Sequence, residues 1–383
     1  MENFQDNSDI IIVGAGPAGC ACALVLAKYN LTVTLIEKQE FPRDKICGDA
    51  IGGRVKRVLQ LIDPKLLDEL ESFPGKNVTN GWKLFSPSGK SIELKFVNPG
   101  YVSRRIDFDN FLFQKVRESG KIRIKTNTEI RKFENYGQHA EVVDQHGTVF
   151  KAKLVIGCDG AHSALLRSKR MYKQNSRHYS GAVRAYYENV NGLSKDTIEI
   201  LLPKQFLPGY FWIFPLDEST ANVGFGMLSS SISKRKIDLR KSMLSIIDST
   251  PELAMRFRNA SLAGKIEGFG LPLGGKKRRI SSARLMLCGD AASFIDPLNG
   301  EGIGNAMWSA YLAANHAIAC FEADNFTEKF MSGYETATNK WLVPELKKKL
   351  LYQRLFNRPW LINAFVELGR RNATFRDWVG KKL

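Results

Sequence analysis

Long uninterrupted apolar runs are missing from this 383-residue chain, and with them any segment reaching the ~18 residues that a membrane-spanning helix needs. The best candidate, residues 306–321, is broken by Asn315 and His316, so any membrane contact is expected to be peripheral. Histidine is scarce, and the six cysteines at 20, 22, 47, 158, 288 and 320 form no CxxC pair and have no histidines at zinc spacing. No metal site is expected, and the thiols read as a reduced, cytosolic set. The opening MENFQDNSD lacks the basic segment of a secretory signal, which argues against export. Acidic residues are in short supply, 39 against 56 Lys plus Arg for a net +17, and this favours anionic partners such as phosphates or anionic lipid. No nucleic-acid motif accompanies that charge, so no nucleic-acid partner is expected.

What is present points first to an α/β chain. Residues 10–13 are a short β-branched run, 14–19 a glycine turn, 20–28 an apolar helical stretch and 32–36 a second strand ending at Glu37; together they make a βαβ unit. Strand-like alternation is expected over 78–102, 122–126, 128–134, 140–144, 149–152 and 154–156, with a helix over 107–118. The aromatic and β-branched stretch 181–226 suggests a second sheet, followed by a helix over 239–250, a strand over 285–288 and a long apolar helix over 302–321.

Three spacings carry chemistry. Gly14-x-Gly16-x-x-Gly19 lies between a strand and a helix as a pyrophosphate site requires, with Ala18 in the same turn: Gly14 turns the chain, Gly16 admits phosphate to the backbone, and Gly19 lets helix and strand pack. Glu37, 18 residues beyond Gly19 and followed by Lys38, is placed to accept hydrogen bonds from a ribose. Farther on, the apolar run 154–157 ends in Asp159-Gly160, and the run 285–288 ends in Gly289-Asp290, which is followed by Pro297-Leu298-Asn299-Gly300-Glu301-Gly302-Ile303-Gly304. The second of these offers Asp290 to a polyol hydroxyl, and its loop starts a helix whose amides suit an anion.

In this order the three motifs resemble the flavoprotein superfamily typified by para-hydroxybenzoate hydroxylase, over roughly residues 8–320. The resemblance implies FAD, held by Gly14, Gly16, Ala18, Gly19, Glu37, Lys38, Asp159, Gly160, Gly289, Asp290, Pro297, Gly300, Gly302 and Ile303. A flavin-adjacent arginine before a helix falls on Arg104, with Arg105 as the competing choice. The implied fold is a Rossmann-like FAD-binding domain with an antiparallel-sheet substrate domain and a helical C-terminal tail. Its expected divisions are 1–75, 104–175 and 280–325 for FAD, 76–103 and 176–279 for substrate, and 326–383 for the tail.

Within that superfamily, Lys45-Ile46-Cys47-Gly48 is similar to the Lys-x-Cys-Gly element of the geranylgeranyl reductase family. Tyr210-Phe211-Trp212-Ile213-Phe214-Pro215, followed by Gly224-Phe225-Gly226, is similar to its Tyr-x-Trp-x-Phe-Pro signature. The resemblance implies reduction of isoprenoid double bonds, with Cys47, Tyr210 and Trp212 as catalytic candidates. Cys47, Tyr210, Trp212, Phe214, Pro215 and Gly300 would contact a hydrophobic prenyl-type substrate. The bland reading of the aromatics is core packing, and of Cys47 an inert thiol; Cys20 and Cys22 read as packing residues. The sequence names no proton donor. It holds no second complete dinucleotide fingerprint, so the electrons are expected from an external donor, NAD(P)H or a separate redox protein. An aromatic or polyketide monooxygenase of the same fold is the rival, with a halogenase disfavoured because neither Lys76 nor Lys83 can be tied to that chemistry. A binding protein that has lost its chemistry is argued against by intact Glu37 and Asp290.

The tail, residues 340–383, holds 11 Lys/Arg against 3 Asp/Glu, interleaved with aromatics such as Trp341, Trp360 and Trp378. It is expected to be helical and amphipathic, suited to packing on the body or to an anionic membrane surface. A cytoplasmic protein, peripheral to the inner face of the membrane, is the corresponding expectation.

Overall fold

Residues 10–13 are apolar on both faces of the strand, a pattern that is stable only where helices cover both sides of a sheet. In the computed structural model, which describes residues 7–169, 171 and 175–380, they are buried within the strand Asn7–Val13. Residues 1–6 of the acidic N-terminus and 381–383 of the basic tail lie outside the described residues. Asn7–Val13 pairs in parallel with Val33–Ile36 and with Val149–Gly157. The sheet extends to Ile122–Lys125 on one side and, beyond Val149–Gly157, to Leu285–Leu287 and Ser281–Ser282 on the other. The expected pair of strands at 149–152 and 154–156 is one continuous strand. Its first half alternates in exposure beside the hairpin strand Ala140–Asp144, and its second half is buried in the parallel sheet. Helices Pro17–Leu26 and Ile303–Glu322 pack on each other over the sheet.

The second sheet runs in the order Ser261–Pro272, Tyr179–Glu188, Ala221–Leu228, Tyr210–Pro215, Thr197–Leu201, Asn77–Phe85, Ser91–Val102, Ala50–Ile51. It is not wholly antiparallel as expected: Thr197–Leu201 pairs in parallel with Asn77–Phe85. The chain passes through the first sheet between these two strands, so no hairpin imposes an antiparallel match. Ala50–Ile51, expected with the first unit, closes the far edge of the second sheet. Alternation along Tyr210–Pro215 sends Phe211 and Ile213 into a core covered by Leu239–Ser249 and Pro251–Phe257. Trp212 and Phe214 point to the other face, beside Val102.

The tail folds as helices Glu328–Trp341, Val343–Leu355, Pro359–Arg371 and Ala373–Gly380. Leu342, Val343 and Leu346 join the main core, while Val366 and Val379 cover Leu84, Ile92 and Leu94 of the second sheet. Other apolar residues of the tail stay in water, including Leu351 and Leu355, with Trp360 62% and Trp378 58% exposed. Among the described residues no helix is long and apolar enough to cross a membrane.

Candidate active site

Gly14 has φ +99°, and a Cβ there would lie 2.4 Å from the Cys158 carbonyl oxygen; a Cβ on Gly19 would lie 1.8 Å from the carbonyl oxygen of Gly14. Only glycine permits both approaches. Gly16 differs, because a Cβ there would meet only the Arg43 guanidinium, at 3.7 Å. As N-cap of Pro17–Leu26, Gly16 provides no side-chain cap for the first amides, among them those of Ala18 and Gly19. Open space over uncapped helix amides suits a pyrophosphate, so these residues fit FAD. Glu37 is buried and ties the turn down, Oε2 accepting from the Ala15 amide at 2.7 Å and Oε1 from that of Gln39 at 3.2 Å. Lys38 is exposed just beyond it.

The other two motifs converge beside this turn. Asp159 Oδ2 accepts from the amides of Ala164 and Leu165 at 2.8 and 3.4 Å, capping the helix Ala164–Lys169, while its buried Oδ1 has no partner among the described residues. Burial pushes this carboxyl above its ordinary range against those hydrogen bonds and that of Ser163. Gly160 follows at φ +77°. Gly289, at φ +58°, lies against Ala306 of the long helix, and Asp290 Oδ2 pairs with Lys45 Nζ at 3.0 Å. Pro297 and Gly300 shape the loop leading to Gly302, the N-cap of Ile303–Glu322. Tyr210 Oη donates to the Asn299 carbonyl at 2.6 Å, which fastens this loop to the second sheet.

The Lys45–Asp49 segment therefore spans from Asp290 to the aromatic wall. A Cβ on Gly48 would lie 3.3 Å from the Phe214 ring and 3.5 Å from Trp212 Nε1. Ring centroids are 5.8 Å apart for Tyr210 and Trp212 and 6.1 Å for Trp212 and Phe214. Pro215 is not part of this wall, since alternation sets it on the face of Phe211 and Ile213. Cys47 is half-buried between the Arg105 guanidinium and Tyr210. Burial, then Asp296 and Cys47, push the Tyr210 phenol up. Arg105 is committed to Asp109 at 2.6 and 2.7 Å. Burial works against its charge, but the Asp109 carboxylate more than offsets this and Cys47 adds to it, so its pKa is raised. Arg104 instead stacks over Tyr186 at 4.9 Å and makes no ion pair among the described residues.

Beneath the wall lies a network that the sequence reading did not anticipate. Asn222 Oδ1 accepts from Trp212 Nε1 at 2.9 Å, and Asn222 Nδ2 donates to both the Cys47 carbonyl and Asp49 Oδ2 at 2.8 Å. Tyr186 Oη donates to the same Asp49 oxygen at 2.7 Å, while Asp49 Oδ1 is buried without a partner among the described residues. Asp49 is fully buried at φ +68°, and burial raises its carboxyl to about 7 against the hydrogen bonds of Tyr186 and Asn222 and the charges of Arg184 and Arg105. Asn222 could have been noticed as the one amide within the apolar run 221–228; Asp49 directly follows Gly48 of the quoted element. Glu301, its carboxyl pushed up by burial and its buried Oε1 unpartnered among the described residues, was likewise not singled out. Cys20 and Cys22 are packing residues, fully buried in the first helix.

Known proteins resemble this chain in both halves of the site. A model of the FAD binding domain matches residues 7–197, and a model of the geranylgeranyl reductase catalytic domain matches residues 179–254. A digeranylgeranylglycerophospholipid reductase of Methanococcus vannielii is 31% identical, covering 93% of this chain and 89% of its own. A menaquinone reductase of Mycolicibacterium smegmatis is 29% identical, over 81% of this chain and 76% of that one. The crystal structure of a geranylgeranyl bacteriochlorophyll reductase-like protein from Thermoplasma acidophilum shares the fold with a TM-score of 0.84, at 24% identity over 96% of this chain and 92% of that one.

Proposed function

Because the chain belongs to the geranylgeranyl reductase family, FAD-dependent oxidoreductases that reduce isoprenoid carbon–carbon double bonds, we propose that its substrate is a glycerol-linked geranylgeranyl phospholipid. We also propose that the alkene lies along the Tyr210, Trp212 and Phe214 wall beside Cys47. The observation that supports this most is the Lys45–Asp49 segment, which touches Asp290 of the cofactor half at one end and Trp212 and Phe214 at the other. An apolar surface next to the flavin loop suits a prenyl chain, whose burial contributes about 25 cal/mol per Å².

When bound, reduced FAD supplies a hydride to one alkene carbon, and a proton completes the other. The protein's part is to bind, orient and exclude water. In this reading Gly14, Gly16 and Gly19 would shape the pyrophosphate cradle, Glu37 and Asp290 would offer carboxylates to hydroxyls, and Arg104 would serve the flavin side. Lys38, Asp159, Gly160, Gly289, Pro297, Gly300, Gly302 and Ile303 complete the surrounding backbone. Asn222 holds the Trp212 indole and the Cys47 carbonyl in register through one amide. We assign the electrons to an external donor, NAD(P)H or a separate redox protein, because the chain carries a single dinucleotide fingerprint.

The test is anaerobic. Reduced holoprotein mixed with digeranylgeranylglyceryl phospholipid should regain oxidised-flavin absorbance before air is admitted, with two hydrogens gained per double bond in the lipid. Reoxidation only after oxygen enters would mean a monooxygenase, and turnover of menaquinone but not of the phospholipid would replace the substrate. Trp212→Ala should lower prenyl turnover at least about tenfold while the flavin-to-protein ratio holds, even as the fold loses roughly 3–5 kcal/mol. Full activity in that variant would misplace the wall.

The exposed aromatics and the +8 charge of residues 340–383 support docking of the tail on an anionic membrane surface. Replacing Trp360 and Trp378 together by serine should weaken co-sedimentation with anionic vesicles about tenfold. Equal binding of the wild-type protein to neutral and anionic vesicles would refute the docking.

A further inference from the structure

Outside the active site, a cavity of about 430 Å³ opens between the helix Val343–Leu355, the loop around Lys276, the turn Ser176–His178 and the start of the helix Ser229–Arg235. Arg177, His178, Lys276 and Arg354 line it together with Ser230 and Gln353, and no carboxylate does among the described residues. Elsewhere in the chain cations have acidic partners, as Lys349 has in Asp296 and Arg256 in Glu199. Arg177, Lys276 and Arg354 have no ion-pair partner among the described residues, although like charges brought together repel. His178 is itself 6% exposed, and among the described residues its Nδ1 has no hydrogen-bond partner. Burial, followed by Lys276, Arg278 and Arg354, lowers the imidazole to about 4, so at neutral pH it is a neutral ring in a positive field.

The walls are built rather than incidental. Gly275, at φ +89°, brings the Lys276 loop so near the helix Val343–Leu355 that a Cβ would lie 2.9 Å from the Leu346 carbonyl. Asn175 fixes the Arg177 and His178 turn, its side chain accepting from the Arg177 amide at 2.9 Å and its carbonyl from the His178 amide at 2.8 Å. Gln353 reaches from the cavity wall to the Pro297 carbonyl, so the cavity borders the same loop that Tyr210 fastens.

We propose that this cavity is a phosphate-binding site that holds the anionic headgroup of the prenyl lipid while its chain runs to the aromatic wall. The assignment rests on the substrate reading above. The three cations that line the cavity, Arg177, Lys276 and Arg354, match the acceptor oxygens of a phosphate, and the volume leaves room for the glycerol beside it.

The experiment compares two lipids with identical geranylgeranyl chains, one phosphorylated and one a neutral diether alcohol, on holoprotein and on an Arg177→Gln/Lys276→Gln/Arg354→Gln variant. The preference for the phosphorylated lipid in kcat/KM should fall at least about tenfold in the variant. An unchanged preference overturns the proposal. Calorimetric titration of oxidised holoprotein with inorganic pyrophosphate separates this from failure of the substrate reading. Binding by the wild type that the variant loses supports an anion site even if neither lipid is reduced, and no binding by the wild type overturns it. If the substitutions raise the KM of NADPH-driven flavin reduction and leave the lipid preference intact, the anion is the nucleotide's phosphate and the headgroup assignment falls.

Discussion

Gly14→Ala is expected to give a protein that purifies without its yellow flavin, with affinity for FAD weakened at least about 100-fold. The added Cβ would sit 2.4 Å from the Cys158 carbonyl oxygen and 2.8 Å from its carbon. Neither atom can step aside, because Cys158 donates its amide to the Val13 carbonyl at 2.8 Å where two parallel strands end. The φ of +99° adds strain of about 1–3 kcal/mol and the overlap a similar amount, all within the turn that must face pyrophosphate. Gly89→Ala is the matched control: it too has positive φ, at +80°, but nothing lies within 4 Å of its added methyl, so it should keep its flavin. Measuring the flavin-to-protein absorbance ratio of both variants decides the matter, and a fully yellow Gly14→Ala protein would show that the cradle lies elsewhere. Asp290→Ala should be milder, about tenfold to 100-fold in FAD affinity, the range for one charge-assisted hydrogen bond.

The second large effect is on stability against pH, through Asp49. Its carboxyl is raised from 3.8 to about 7. Below about pH 4 the folded and unfolded chains both hold the proton, and Asp49 contributes no pH dependence. Between about pH 4 and pH 7 the unfolded chain releases it while the fold retains it, so the fold binds more protons and stability falls as pH rises. Above that window the penalty is complete, at roughly 4 kcal/mol. Asp49→Asn mimics the protonated carboxyl: its oxygen can accept from Tyr186 and Asn222, and asparagine tolerates the positive φ better than most residues. The variant should match wild type near pH 4 and melt about 5 °C higher at pH 8. A difference in melting temperature that does not change with pH would mean that Asp49 is ionised in the fold throughout.

The contrast between these two positions shows what kind of information lies in the chain. Gly14, Gly16, Gly19 and Glu37 are legible because backbone geometry over one βαβ unit constrains them, and the structure brings Glu37 from the end of its strand onto the Ala15 amide of the glycine turn. The alternation of Tyr210, Trp212 and Phe214 was equally local, although the same alternation should have removed Pro215 from the wall. The helix Gly53–Ile62 was missed despite buried Val55, Val58, Leu59 and Ile62 at helical spacing; that signal was present and unread. What no window could supply is the network under Cys47. Asn222 meets Asp49 across 173 positions, Lys45 meets Asp290 across 245, and Tyr186 meets Asp49 across 137. Such pairs exist only once segments distant in the chain are folded against one another. The pairing of Arg43 with the buried Asp109, across 66 positions, is of this kind as well.

The helix Val343–Leu355 carries exposed leucines outward and, on its inner side, sends Lys349 to Asp296, Gln353 to the Pro297 carbonyl and Glu345 to Arg54. For anyone seeking a better-behaved preparation, trimming the chain before this helix would therefore remove the clamps on the loop between Asp296 and Ile303 along with the greasy surface. Handling properties and turnover can be separated only by recolouring the outer face, residue by residue, with the helix left in place.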